Sequence, residues 1–479
     1  MDLEQTLFVI MLVSVAATSL FAAGHALLDK RDARSALGWM AVCLFIPLLG
    51  SFLYWCLGVN RISRRARRWH RKRRIVSGAE LHPYDEKEVQ SAELPKEFSY
   101  LRELVVLGDR IVKTHLEPGN RIMPIDDGEV AFAMMLAAIR RACSSINLSS
   151  YIFDGDGIGG EIAAELKAAA ARGVEVRVIV DAMGEKYSRC KARRVLEGSA
   201  VHFRLFLPLK YGSFINLRNH RKMLIVDGCE AFTGGMNIRS SQLGEKPDQP
   251  CNFHDMHFHV LGPVVSDLQR VFIEDWFFVA GERLDGPAFF PHLEPAGAAI
   301  ARCIGDGPDR EYRKLELIVM GALSCARKSV LIMTPYFLPD RPMIAALITA
   351  ALRGVDVVIV LPACNNLPYV HWATRALLDE LVDNGIRVYY QPPPFVHTKL
   401  MLMDDAWSLI GSANLDTRSL RLNFELNLTV FDFCLAAEIR RCFDRALLNA
   451  HPITLQELQQ RPLAIKLLDN FSHLFLPYL

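Results

Sequence analysis

The sequence predicts an α/β protein of two pseudo-symmetric halves, preceded by a two-helix transmembrane hairpin. Three observations predict this. Two long apolar stretches open the chain, the remainder repeats itself, and one polar motif occurs once in each copy of the repeat.

The apolar stretches come first. Residues 7–28, LFVIMLVSVAATSLFAAGHALL, carry one titratable group, His25; residues 36–59, ALGWMAVCLFIPLLGSFLYWCLGV, carry no Lys, Arg, Asp or Glu. Each is long enough to cross ~30 Å of hydrocarbon as a helix, and Pro47 and Gly50 are tolerated in such helices. The start, MDLEQ, lacks the basic region of a cleaved signal peptide. A hydrophobic content of 51% and a mean hydropathy of +0.16 agree with membrane segments.

The run RISRRARRWHRKRR, residues 61–74, holds nine Lys or Arg and no acid, whereas the loop 29–35 holds three. The positive-inside rule then places the body from residue 61 onward in the cytoplasm, the loop outside, and the N-terminus back inside, a multi-pass topology. The chain totals +2 and this run supplies +9, so the remainder is near −7. Positive charge gathered beside a membrane suits contact with anionic lipids, or serves topology alone. It is a poor footprint for nucleic acid, which would want a basic groove in the body. The 11 cysteines are odd in number and form no C-x-x-C pair. That argues against a disulfide framework or zinc site and for buried free thiols.

Past a polar linker the chain repeats. MLAAIRRACSSINLSSYIF (135–153) matches MGALSCARKSVLIMTPYFL (320–338) in pattern, and AAAARGVEVRVIVD (168–181) matches TAALRGVDVVIVLP (349–362). Each copy reads helix, strand, helix, strand, which argues for an α/β sheet in each. VLEGSAVHFRLF (195–206) and LVDNGIRVYYQ (381–391) add a further helix and strand. The expected segments are therefore a hairpin over 1–60, a basic segment and linker over 61–105, half 1 over 106–290, half 2 over 291–455, and an amphipathic helix over 456–479. In the last, Leu463, Leu467, Phe471, Leu474 and Phe475 share one stripe, for docking on the body or for lying in the membrane interface.

The recurring motif lies in NHRKMLIVDGCEAFTGGMN (219–237) and FVHTKLMLMDDAWSLIGSAN (395–414). His220, Lys222 and Asp227 have the spacing of His397, Lys399 and Asp404. Gly234 and Asn237 follow the first histidine by the same 14 and 17 residues as Gly411 and Asn414 follow the second. Residues i and i+2 share a strand face, so each His and Lys project together. With two-residue turns at 228–229 and 405–406, Asn237 falls opposite His220 and Asn414 opposite His397. Gly235 and Ser412, beside the motif glycines, join the two asparagines as candidate phosphate-binding residues; a glycine lets phosphate approach closely.

Two imidazoles with two lysines and two asparagines suit a phosphodiester. One imidazole can attack phosphorus and the other protonate the leaving alcohol. Lysine and asparagine would hold the non-bridging oxygens. This chemistry calls for no metal or cofactor, and no zinc-type cluster is apparent. Each imidazole needs an orienting group. The candidates are Asp255, 35 residues after His220, and Glu425, 28 after His397. The neighbouring His254, His257 and His259 read as plain strand residues.

The paired H-x-K-x-x-x-x-D motifs resemble those of the phospholipase D superfamily. LRNHRKMLIVDG, TGGMNI, TPYFLPD, RGVDVVIVLP and IGSANLDTRSLRLNFE are similar to segments of its bacterial cardiolipin synthases, over nearly the whole chain. The resemblance implies phospholipase D-like α/β/α halves with mixed sheets and both motifs at their interface. It implies transfer of a phosphatidyl group from one phosphatidylglycerol to a histidine, with glycerol released, and then to a second phosphatidylglycerol. By the same analogy His220 is the nucleophile, His397 the acid/base, and Asp227 and Asp404 are more structural than catalytic. The location implied is the bacterial inner membrane. Rival readings are a hydrolase using water, a transferase using another alcohol such as phosphatidylethanolamine, a nuclease of the superfamily, and a membrane scaffold with an inactive fold.

Overall fold

In the computed structural model, Leu3–Asp29 is one continuous helix of 27 residues, roughly 40 Å at 1.5 Å per residue and long enough to cross a bilayer. The second apolar stretch behaves differently. It forms a helix over Ala33–Phe45, a short helix over Leu49–Leu53 and a π-helical turn over Tyr54–Gly58. Pro47 lacks an amide hydrogen and Leu48 has a positive φ (63°), so the helix cannot continue through them. After this break Gly50 packs on the backbone of Val42, where a Cβ would lie 2.0 Å from the carbonyl oxygen. The segment then returns to its start. Lys30 donates to the carbonyl of Gly58 at 2.5 Å, and His25 Nδ1 lies 2.6 Å from the Tyr54 hydroxyl. In place of the expected pair of full spans there is one helix long and apolar enough to span and one bent segment.

The described residues are 3–30, 33–59 (34 and 57 by backbone only), 93–112, 114–208, 217–243, 253–307 and 313–475. The basic run 61–74 and most of the polar linker lie outside them. The chain divides into two units, Met1–Ala79 and Glu80–Leu479. Among the described cysteines Cys43 and Cys303 are buried, but Cys56, Cys143, Cys229, Cys364 and Cys434 are exposed. The expectation of buried thiols holds only in part.

The second unit is built on one sixteen-stranded mixed sheet. At its centre Glu117–Ile125 pairs antiparallel with Ala299–Asp306. Outward from this seam the halves mirror each other. Half 1 runs through His257–Leu261, Glu230–Gly234, Met223–Val226, Ser145–Ser150, Glu175–Asp181 and His202–Phe206. Half 2 runs through Asn423–Phe431, Trp407–Gly411, Leu400–Met403, Ser329–Met333, Asp356–Pro362 and Arg387–Gln391. The last three strands of each half are parallel, as helix crossovers require.

The repeat folds as its pattern demands. Helices Gly128–Arg141 and Lys314–Cys325 precede the first strands, and Gly157–Ala171 and Arg341–Leu352 precede the second. Val176, Val178 and Val180 are buried on one strand, and Val357, Ile359 and Leu361 on its counterpart. The halves diverge at the third helix, a five-residue stub Ala192–Leu196 in half 1 but Pro368–Asp383 in half 2. A helix over Arg102–Ile111 crosses the expected linker boundary; its Leu104 and Val105 join the core of half 2, not half 1. The C-terminal stretch breaks at Pro462 into helices Leu455–Gln459 and Leu463–His473.

Candidate active site

The two motifs fold alike, one residue away from the expected register. Val226 pairs with Glu230, and Met403 with Trp407, so each turn has three residues. Asp227 and Asp404 leave the strand and adopt positive φ (51° and 54°). A one-residue slip exchanges strand faces, so the asparagines do not oppose the histidines. Asn237 accepts from the Ile152 amide at 3.2 Å, and Asn414 donates to Ser419 at 3.2 Å. Neither is hydrogen-bonded to its histidine.

The turn aspartates explain the slip. Asp227 accepts from the amides of Cys143, Ser144 and Ser145 at 2.7–2.9 Å. Asp404 does the same with Arg327, Lys328 and Ser329 at 2.7–2.9 Å. Burial would push the Asp227 carboxyl up, but these donors hold it below the ordinary range. Both aspartates tie the motif hairpin to the start of the neighbouring strand and do not touch the imidazoles.

The histidines are held across the halves. Short parallel bridges join Arg218–Asn219 to Asn423–Phe424, and Phe395–Val396 to Phe253–His254. The amide of His220 donates to the carbonyl of Phe424 at 2.9 Å, and that of His397 to the carbonyl of His254 at 2.7 Å. Each histidine therefore lies beside the carboxylate one residue further along the opposite half. His220 Nδ1 sits 3.1 Å from both oxygens of Glu425; His397 Nδ1 sits 2.7 Å from Asp255 Oδ2. The two expected orienting residues are both present, but with partners exchanged. Spacing along the chain suggested pairing within a half, whereas the bridges bring in the other half.

The motif glycines serve packing. At Gly234 (φ 147°) a Cβ would lie 2.7 Å from the Met256 carbonyl, and at Gly411 (φ 149°) 2.3 Å from that of Leu426. A Cβ on Gly235 would come within 2.1 Å of an Asp255 oxygen, so this glycine makes room for the carboxylate. Its counterpart Ser412 donates to Glu425 at 2.5 Å. Gly235 and Ser412 thus face the orienting carboxylates.

Lys222 and Lys399 are buried. Lys222 donates to the carbonyl of His220 at 2.6 Å, while Lys399 Nζ lies 2.7 Å from Nδ1 and 3.2 Å from Nε2 of His397. Burial lowers Lys222 to about 7, although Glu425 opposes this, and lowers Lys399 to about 8 against Asp255. Burial, with Lys399 adding, lowers His397 to about 4; burial also lowers His220, partly offset by Glu425. Burial would raise both carboxyls, yet Lys399 and His397 hold Asp255 low, and His220 and Lys222 hold Glu425 low.

Three further residues belong to this environment. Tyr151 stands edge-on to His220 (5.3 Å between ring centres) and Tyr336 edge-on to His397 (6.2 Å). They occupy equal positions in the repeat, so aligning the copies would have found them. His257 is buried beside Gly234, and its equivalent is Asn427 beside Gly411. Nδ1 of His257 and Nδ2 of Asn427 have no protein partner among the described residues. His259 binds Glu230 at 2.7 Å and stacks on Phe232, as a plain strand histidine does.

A fold of two fused copies with a His-Lys pair from each defines a double-motif phosphodiester-handling protein. Residues 135–276 and 319–447 match the family described as cardiolipin synthase, phospholipase D-like domain, and residues 17–58 match phospholipase D-nuclease N-terminal. The chain belongs to this phospholipase D-like cardiolipin synthase family. It is 32% identical over 461 residues to the major cardiolipin synthase ClsA of Bacillus subtilis (strain 168), covering 94% of this chain and 95% of that one. It is 32% identical over 474 residues to a cardiolipin synthase of Staphylococcus aureus (strain Mu50 / ATCC 700699), covering 96% and 94%. Among solved structures, phosphatidylserine synthase of Haemophilus influenzae Rd KW20 shares the fold, with a TM-score of 0.62, 17% identity, and 79% of this chain and 100% of that one covered. The N-terminal apolar helix fits a membrane-anchored protein.

Proposed function

We propose that this chain is a membrane phosphatidyltransferase that makes cardiolipin and glycerol from two molecules of phosphatidylglycerol. The cross-held pair of imidazoles carries the reading. Glu425 occupies Nδ1 of His220, which leaves Nε2 for attack on phosphorus. In the first step the Nε2–P bond forms and the P–O bond to glycerol breaks, with His397 protonating the departing alkoxide. In the second step a hydroxyl of another phosphatidylglycerol attacks phosphorus, His397 takes its proton, and the histidine–phosphorus bond breaks. Lys222 and Lys399 face the phosphate oxygens and gain positive charge as the anion binds. The anion also offsets the cationic pressure of Lys399 on His397 and so favours the protonated acid the first step needs.

Family membership and the anchor helix support a phospholipid substrate. The identity of the alcohols rests on resemblance to the relatives named above. The basic run in the sequence supports a body on the cytoplasmic face of the bacterial inner membrane, beside anionic lipids and apart from nucleic acid. The return of the second apolar segment to Lys30 supports an anchor that crosses once, where the sequence suggested a multi-pass topology. The test supplies the reconstituted full chain with labelled phosphatidylglycerol alone. Cardiolipin with released glycerol is expected; phosphatidic acid as the sole lipid product would assign hydrolysis instead.

A further inference from the structure

The helix Leu463–His473 is docked by a face that carries Asp469 and Ser472 together with the less exposed apolar residues Ile465 (36%) and Leu468 (39%). Asp469 is 1% exposed and accepts from Arg375 (2.6 Å) and Arg461 (2.6 Å), and Arg461 also binds Asp379 at 2.9 Å. Ser472 is buried on the same face. The opposite face carries Leu463, Leu467, Phe471 and Leu474, each 60–73% exposed. An amphipathic helix normally buries its apolar stripe against the body; here the ion pairs fix the reverse orientation.

We propose that this outward stripe is a bilayer-contacting ridge that seats the body on the phospholipid surface from which it draws substrate. The proposal rests on the reading that the substrate is a membrane phospholipid. Three observations favour lipid as the occupant. The chain has its own spanning helix, so a bilayer is always within reach. The ridge is one short helix, about 16 Å long at 1.5 Å per residue, too little for the roughly 800 Å² per partner of a stable dimer, yet enough to sink into the headgroup boundary. The ridge also leads toward the site. The helix packs along Pro368–Asp383, whose N-terminal end holds exposed Tyr369. Just before it, Asn366 accepts from the Tyr336 hydroxyl at 2.8 Å, and Tyr336 stands against His397.

The test places a photo-crosslinking benzoylphenylalanine at position 471 of the full chain, reconstituted in vesicles of phosphatidylglycerol and phosphatidylethanolamine. Adducts to acyl chains are expected; adducts to a second copy, or none to lipid, would overturn the proposal. In parallel, the double variant Leu467→Glu, Phe471→Glu should keep its turnover on detergent-dispersed phosphatidylglycerol and lose about tenfold or more on vesicles. Equal turnover on vesicles, or equal loss in both media, would overturn it. Crosslinking reads out without turnover, so failure of the functional reading would leave the adducts in place, and failure of the ridge would leave turnover in detergent.

Discussion

Glu425 holds Nδ1 of His220 at 3.1 Å, although the two residues belong to opposite halves of the repeat. Asp255 and His397 make the reciprocal pair at 2.7 Å. Neither motif histidine has its orienting carboxylate in its own half. The duplication therefore interlocks the two motifs, each completed by the other half.

The exchange of partners can be separated by leaving group. Glu425→Gln and Asp255→Asn should each slow phosphatidyl transfer about 10²–10⁴-fold, the range of general acid–base assistance. A phosphodiester that releases p-nitrophenol needs no acid. On it the first-turnover burst of p-nitrophenol should recover in Asp255→Asn and His397→Ala, whereas in Glu425→Gln and His220→Ala it should not. The opposite pattern of rescue would place the nucleophile in half 2.

Asp227→Ala and Asp404→Ala should act on stability. Each removes a carboxylate that accepts three backbone amides, a loss of about 2 kcal/mol or more. Melting in detergent at pH 7 should show a lower Tm for each variant, with KM unchanged in the folded fraction. Asp227 has a lowered pKa in the folded state, so its stabilisation is present above the unfolded value near 3.8 and is lost as pH falls below it. The Tm gap for Asp227→Ala should accordingly narrow below about pH 4. A loss of turnover with no change in Tm would assign the aspartates a chemical role.

Gly235→Ala should be the more damaging change at the two carboxylate supports. Its methyl would overlap the Asp255 carboxylate, 2.1 Å away, and push it from His397. Ser412→Ala deletes one hydrogen bond to Glu425, which Asn423 still binds at 3.1 Å. The expected kcat loss is larger for Gly235→Ala, with little change in KM. Equal effects, or a purely KM effect, would return these positions to the phosphate contact first expected of them.

Phosphodiester binding should weaken with rising pH. Lys222 titrates near 7 and Lys399 near 8 in the empty site, and only their charged forms attract the anion. A short-chain phosphodiester stays a monoanion throughout, so its affinity should be flat at pH 6 and fall above about pH 7. The slope should approach about two decades per pH unit above 8, one for each proton bound with the anion. Affinity that is constant or rising from pH 6 to 9, by isothermal titration, would contradict this charge assignment.

Much of this architecture is written in local sequence. The duplication fixed which residues are equivalent, and the strand and helix periods held because each buries one face. Tyr151 and Tyr336 were legible by the same alignment. What local pattern could not convey is contact between halves. Asp255 and Glu425 were recognisable as carboxylates near the motifs, but their partners depend on the bridges at Phe253–His254 and Asn423–Phe424. The hairpin register failed by one residue because Asp227 spends its carboxylate on amides 82–84 residues away. In the anchor, composition alone does not reveal that Leu48 turns the chain back.

The central claim is a phosphatidyl relay through one named imidazole. The most direct measurement is a single turnover of the reconstituted protein with labelled phosphatidylglycerol, quenched in alkaline denaturant and mapped by mass spectrometry. The label should sit on Nε2 of His220 in the wild-type protein and be lost in the His220→Ala variant. Label on His397, or cardiolipin formed with no label on either histidine, would contradict the account.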